Sequence, residues 1–254
     1  MSWIIPLITL SRKEAVRIFR VWKQSFLPST VTTALYFIIF GNFIGSQIYD
    51  MNGFRYVDFI MPGLVMLSVI TTSYTNVAGS VFLAKFQKNI EEMMVSSMPV
   101  WTIVSGHSIG GMIRGFVVGI IVMIISLFFT QIHIFNLIII ILYFILTSLM
   151  FSLAGFMNGL IAKSFDDISV VPNFVLTPLI YLGGVFYSIS VLPEFWQKVS
   201  LFNPILYMVD GFRYGFLGIA DINIWIGFMI LIIFVVIFFI GNMLLVKKGV
   251  GIKN

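Results

Sequence analysis

The sequence predicts an all-α membrane protein. Its expected parts are six transmembrane helices, an N-terminal amphipathic interfacial helix and an outer re-entrant helical pair. Three observations lead there. Of 254 residues, 59% are hydrophobic and only 10% charged, with a mean hydropathy of +1.06; a soluble domain carries about 25% charged residues. Apolar stretches long enough to cross a bilayer recur along the chain. The 15 Lys and Arg residues gather in alternate connecting segments. This composition excludes a cytosolic enzyme. The absence of cysteine excludes disulfides, zinc–thiolate sites and iron–sulfur clusters. The two histidines, His107 and His133, are far apart, which argues against a histidine metal or haem centre. The net charge of +5 does not require nucleic acid, because basic residues accumulate on the cytoplasmic side of membrane proteins for reasons of insertion.

The first element covers residues 1–28. Residues 1–27 lack a charged start, apolar run and small-residue cleavage site in that order, so no leader is expected. Within them, residues 12–27 read as an amphipathic helix. Ala15, Ile18, Phe19, Trp22 and Phe26 form one stripe, and Lys13, Arg17, Arg20 and Gln24 the opposite one. Such faces suit a helix lying in the membrane interface. A cytoplasmic helix packed on a bundle is the plainer alternative.

About 20 apolar residues span the hydrocarbon core. Residues 29–49, 57–79, 109–130, 135–162 and 222–246 meet that requirement. Residues 170–189 read as a sixth, kinked span, since Pro172 and Pro178 are tolerable where neighbours satisfy the freed carbonyls. With the N-terminus inside, the inner segments hold Arg12, Lys13, Arg17, Arg20, Lys23, Lys85, Lys88, Lys163, Lys247, Lys248 and Lys253, eleven in all. The outer segments hold three, Arg55, Lys198 and Arg213, and Arg114 lies near the inner end of the third span. This obeys the positive-inside rule with both termini cytoplasmic. A seventh span over 201–220 would reverse the C-terminal lysines and bury Asp210 and Arg213. Residues 190–220 are therefore expected to form an outer helical pair, dipping in only where protein covers the backbone. Asp210 and Arg213, three apart, are expected to pair.

The spans hold few ionisable groups. Asp58 sits at an outer edge, with Asp50 and Arg55 in the outer loop. No span has Asp, Glu or His near its middle, which disfavours a proton- or sodium-driven carrier. Asn42, Asn76, Asn158 and Asn242 read as interhelical hydrogen-bonding residues rather than substrate contacts. The glycines of Gly106-His107-Ser108-Ile109-Gly110-Gly111 follow no strand and read as close helix packing. No Gly-Lys dipeptide exists, so the phosphate-cradling Walker loop is absent.

The inner loop, residues 82–102, reads FLAKFQKNIEEMMVSSMPVWT. Lys85 and Lys88 stand near i,i+3 and i,i+4 spacing from Glu91 and Glu92. Phe82, Phe86, Ile90, Met93 and Met94 give an apolar stripe. Pro99 should end the helix and hold Met98 extended. Such a helix either lies on the membrane or docks into a cytoplasmic partner; Met93, Met94 and Met98 suit an adaptable contact surface. Two adjacent acids oppose anionic lipid, which favours docking onto protein.

These features together resemble the type-2 ATP-binding-cassette (ABC) exporter permeases of bacterial inner membranes. In the inner loop the matching positions are Glu91 and Glu92, residues 93–95, Ser97 with Pro99, and Gly110 with Arg114. In the C-terminal half the ordered series is Pro178-x4-Gly183-Gly184-x-Phe186, then Leu192-Pro193-x2-Trp196, then Asn203-Pro204-x2-Tyr207-x2-Asp210-x2-Arg213. The resemblance covers nearly the whole chain, as one 1–254 transmembrane domain, and is nearest to drug, nodulation-factor and polysaccharide exporter permeases.

The resemblance implies a homodimer served by two separate ATPase subunits. ATP and Mg would be bound by those partners and no cofactor by this chain, which would catalyse no bond chemistry and contact membrane lipid but not nucleic acid. Lys88, Glu91, Glu92, Met93 and Pro99 would couple to the ATPase through the 85–98 helix. Pro193, Asn203, Pro204, Asp210 and Arg213 would belong to an outer gate. Tyr36, Phe40, Tyr181 and Phe186 are candidates for the substrate path, with a lipid-like or amphipathic cargo moved outward; interfacial belt or core packing is the plainer role for these aromatics. The competing classes are a secondary carrier or channel without an ATPase, which should show an intramembrane charge or an inverted repeat, and a membrane anchor without transport.

Overall fold

The computed structural model describes residues 4–45, 47, 51, 53–96 and 98–251. Asp50, Ser97 and Lys253 lie outside these, as does the Asn42 side chain. The described residues form helices and no strand, with one isolated bridge between Met51 and Phe54. In chain order the helices are α1 (Ile4–Arg20), α2 (Trp22–Tyr36), which continues through π-helical turns at Phe37–Ile44, and α3 (Tyr56–Phe86). Then come α4 (Asn89–Val95), α5 (Val100–Ser126), α6 (Leu137–Ile161) and α7 (Phe165–Val171). A second π-helical stretch, Pro172–Leu176, leads into α8 (Thr177–Tyr181); α9 (Glu194–Ser200), α10 (Pro204–Leu217) and α11 (Ile224–Lys248) complete the chain.

Four of these are long and apolar enough to cross a membrane: α3, α5, α6 and α11, of 31, 27, 25 and 25 residues. At about 1.5 Å per residue even the shortest exceeds a ~30 Å hydrocarbon core. α3 is the centre. It is buried without interruption from Phe59 to Met66 and packs against α5, α6 and α10. Its approach to α6 depends on Gly155 and Gly159, where a Cβ would stand 2.5 Å or less from the Tyr74 and Ala78 carbonyl oxygens. Small residues four apart let two helix backbones touch, which is how apolar helices associate without a hydrophobic drive between them. The glycines at the start of α5 do the expected packing: Gly106 faces Leu10, Gly110 faces Glu14, and Gly111 faces Ser152 and Val77. α11 lies at the edge. It buries only Gly227, Leu231, Asn242 and Val246 and exposes Trp225, Met229, Ile233 and Ile237. Asn76, Asn158 and Asn242 each bond across elements, to Arg17, the Ile168 carbonyl and the Leu153 carbonyl.

Several boundaries differ from the sequence reading. The helix expected over 12–27 is divided between α1 and α2 at Val21 (φ −105°, ψ 36°). Its apolar stripe splits too: Ile18 is buried while Phe19 and Trp22 are exposed. Arg17 is not on a free polar face, because Glu14 draws it inward. The helix expected over 85–98 shrinks to α4. Lys88 adopts the left-handed conformation (φ 61°) and turns the chain after α3, so Lys85 and Phe86 belong to the preceding helix. Pro99 does not end that helix; with φ −71° and ψ 145° it caps the start of α5. The span expected over 170–189 is helical only to Tyr181. Gly184 has φ +70°, and the chain then folds back so that the Val185 backbone rests on Gly63 of α3. The hydroxyl of Thr177 answers the Pro172 carbonyl at 2.9 Å, a π-helical repair of the proline kink.

Candidate functional site

Three polar or aromatic constellations stand apart from the apolar packing. The first surrounds α4. Ile90 is fully buried against a cluster that includes Ala84, Ile103, Leu160 and Val246. That anchor turns Glu91 and Glu92 outward, both exposed, on the first turn of α4 where acidic groups complement the helix dipole. Met93 is half-buried beside them. Glu92, Met93, Ser96, Met98, Asn89 and Lys13 line an open hollow of about 400 Å³. Lys88, Glu91, Glu92 and Met93 are thus brought together, while Pro99 lies past the hollow at the head of α5. The expected Lys–Glu pairs do not form among the described residues. Lys85 instead donates to the Leu160 carbonyl at 2.9 Å and to the Ala162 carbonyl, where α6 ends. Unsatisfied carbonyls at a helix C-terminus attract a cation more strongly than two solvated acids can. These contacts bring the ends of α3 and α6 together, and Gly251, just beyond α11, packs on the Leu160 carbonyl. The lysines at 85, 163, 247 and 248 therefore gather at one end of the bundle.

The second constellation was not read from the sequence. Glu14 of α1 is 2% exposed. It pairs with Arg17 at 2.8 Å, accepts from the Ser80 hydroxyl of α3 at 2.8 Å and faces His107 Nδ1 of α5 at 3.6 Å. Arg17 also donates to the Asn76 carboxamide oxygen at 3.1 Å. Arg114 of α5 reaches that same oxygen at 3.5 Å and the Ser25 carbonyl of α2 at 3.2 Å. One charged cluster so ties α1, α2, α3 and α5. A signal was available: Glu14 is the only acid in the first 49 residues, set on an otherwise basic helix.

The third constellation is at the opposite end. Asn203 caps α10, accepting from the Ile205 amide at 3.0 Å and donating to the Leu179 carbonyl at 2.6 Å; Pro204 takes the first helical position. Pro193 instead takes the capping position of α9, just before its first helical residue Glu194. Asp210 and Arg213 are both 2% exposed, yet they do not form the expected ion pair. Asp210 accepts from the backbone amides of Asp221 and Ile222, both at 2.9 Å. Arg213 donates to the carbonyls of Gly184 at 2.6 Å and Phe59 at 3.3 Å, and lies 4.0 Å above the Phe59 ring. Backbone groups reach each charge before the other side chain does. Beside this end, Phe186 forms ring contacts with Tyr36, Phe40 and Tyr181, at centroid distances of 5.9, 4.7 and 6.0 Å. All four aromatics singled out for a substrate path meet in one cluster.

The chain's residues 6–217 match the family model of the ABC-2 type transporter. It is similar to "Inner membrane transport permease YadH" of Escherichia coli (strain K12), at 52% identity over 254 residues, covering 100% of this chain and 99% of that one. It is more distantly similar to "Nodulation protein J" of Rhizobium leguminosarum bv. viciae, at 22% identity over 237 residues, 91% of this chain and 92% of the relative. "Nodulation protein J" of Neorhizobium galegae is 23% identical over 239 residues, 91% of each chain. Matched over most of its length by that model and along its whole length by a relative at 52% identity, this chain belongs to the ABC-2 type transporter family.

Proposed function

We propose that this chain is the inner-membrane permease subunit of an ATP-driven exporter, working as a homodimer with two separate ATPase subunits that bind ATP and Mg. The cargo is amphipathic or lipid-like, matching the aromatic cluster around Phe186. The main support is α4, anchored by Ile90 with Glu91, Glu92 and Met93 turned outward beside a hollow. The 52% identical relative is called an inner membrane transport permease, which agrees. In this reading the chain crosses six times: α2 with its π-helical turns and the α7–α8 stretch add two spans to α3, α5, α6 and α11. α1 lies in the membrane interface. α9 and α10 form an outer re-entrant pair; 14 residues of α10 reach only about 21 Å, too short for a crossing. Closure of the ATPases moves α4 and shifts the dimer between inward-open and outward-open forms, each favoured by a different ligand state.

Single cysteines test the arrangement. A cysteine at Asn89 should react only from the cytoplasm and one at Gln197 only from outside. Labelling of both from the same side removes the outer helical pair. The coupling role is tested by Glu92→Lys, expected to lower co-purification of the ATPase or uncouple its hydrolysis from cargo while leaving insertion and dimerisation intact. If Glu92 is only a solvated charge, its loss costs a few tenths of a kcal/mol. Unchanged capture with unchanged cargo-stimulated turnover takes α4 out of the coupling role.

A further inference from the structure

A groove of about 480 Å³ separates α1 from the last turns of α3. Arg12, Lys13, Arg17 and Arg20 of α1 form one wall, and Ser80 and Leu83 of α3 with Gln87 just past its end the other. Glu14 also borders it but is committed to Arg17 and Ser80. Three exposed cations, Arg12, Lys13 and Arg20, are left without an acidic ion-pair partner among the described residues. Lys13 also borders the hollow that holds Glu92. Arg12 and Arg20 do not, so the excess positive charge of the groove is its own.

We propose that this groove binds the phosphate of an anionic phospholipid head group. Guanidinium forks match phosphate oxygens, and two of the three uncommitted cations are arginines. A concave site holds the phosphate against several cations at once, whereas a solvated basic face offers them singly. The surroundings suit a lipid rather than a free ion. Leu83 and Val16 give the groove apolar patches, and along α1 the exposed Ile5, Ile8, Phe19 and Trp22 offer a surface for acyl chains. Juxtamembrane basic residues each add attraction to anionic lipid. The proposal rests on the membrane reading above but requires neither the ATPase nor transport.

The test uses the full chain purified in detergent, with lipid binding followed by native mass spectrometry. The probes are dioleoyl phosphatidylglycerol, dioleoyl phosphatidylcholine and inorganic phosphate. Phosphatidylglycerol should bind about ten-fold or more tightly than phosphatidylcholine. The double substitution Arg12→Gln with Arg20→Gln should abolish that preference and leave phosphatidylcholine binding unchanged, and Arg12→Lys with Arg20→Lys should restore part of it. Both pairs are exposed and outside the Glu14 cluster, and a monodisperse elution profile checks folding. Equal binding of the two lipids, or a preference that survives the double glutamine substitution, overturns the proposal. Inorganic phosphate binding as tightly as phosphatidylglycerol makes this a free-phosphate site and overturns the lipid assignment. If the glutamine pair retains phosphatidylglycerol but loses capture of the ATPase, the groove belongs to an acidic protein surface instead. Because binding is read without the ATPase, failure here is distinct from failure of the permease reading.

Discussion

Glu14→Leu is expected to loosen α1 from the rest of the molecule and to lower stability by about 3 kcal/mol, the low end for removing one member of a buried ion pair. The low end applies because Arg17 keeps the Asn76 carboxamide and is 32% exposed. What the substitution strands is a pair of donors, the Ser80 hydroxyl and part of the Arg17 guanidinium, whereas Arg114 keeps Asn76 and the Ser25 carbonyl. Glu14→Gln keeps an acceptor for Ser80 and should cost less. Thermal unfolding in detergent and limited trypsin cleavage within α1 read the two effects together. A Glu14→Leu protein with unchanged unfolding and an uncut α1 would mean that the Gly106 and Gly110 contacts alone hold the helix.

Asp210→Ala and Arg213→Ala are each expected to destabilise the end of the bundle that carries α10, and the double substitution should be worse than either. The sequence spacing alone suggests the reverse, a pair whose joint removal spares the protein a lone buried charge. The contacts decide otherwise. Asp210 holds the Asp221 and Ile222 amides, which set the entry to α11. Arg213 holds the Gly184 and Phe59 carbonyls, which bind the turn after α8 to α3. Hydrogen bonds to a charged group contribute about 1.5–3 kcal/mol each. With two such bonds apiece, each single substitution should cost roughly 3–6 kcal/mol, and the two sets of partners do not overlap. Unfolding of the four proteins in a double-mutant cycle measures this. A double variant more stable than either single one would restore the direct pair.

The placement of the candidate site residues is legible in the sequence to different degrees, for reasons that lie in range. Glu91, Glu92 and Met93 could be found because they are neighbours on one short amphipathic turn, and their outward placement follows from the single buried Ile90. Tyr36, Phe40, Tyr181 and Phe186 could be picked out only as aromatics in apolar stretches. Their meeting depends on the chain reversing at Gly184, a backbone conformation that a hydropathy pattern does not record. Local charge spacing places Lys85 on the helix of Glu91 and Glu92, but its partners are the Leu160 and Ala162 carbonyls, 75 and 77 residues away, which no local pattern registers.

By itself, the sequence determined that this is an all-helical membrane chain and that the stretches forming α3, α5, α6 and α11 are apolar enough to cross. These follow from transfer of residues between water and hydrocarbon, a property that sums over local composition. The tertiary structure alone decided where each charge is neutralised. Glu14 turned inward to Arg17, Ser80 and His107, Lys85 to the end of α6, and Asp210 and Arg213 each to backbone groups rather than into a direct pair. In an interior without water, a charge takes whichever dipole or counter-charge the packing brings nearest, and that is set by Gly106, Gly110, Gly155 and Gly159 letting helices touch rather than by spacing along the chain.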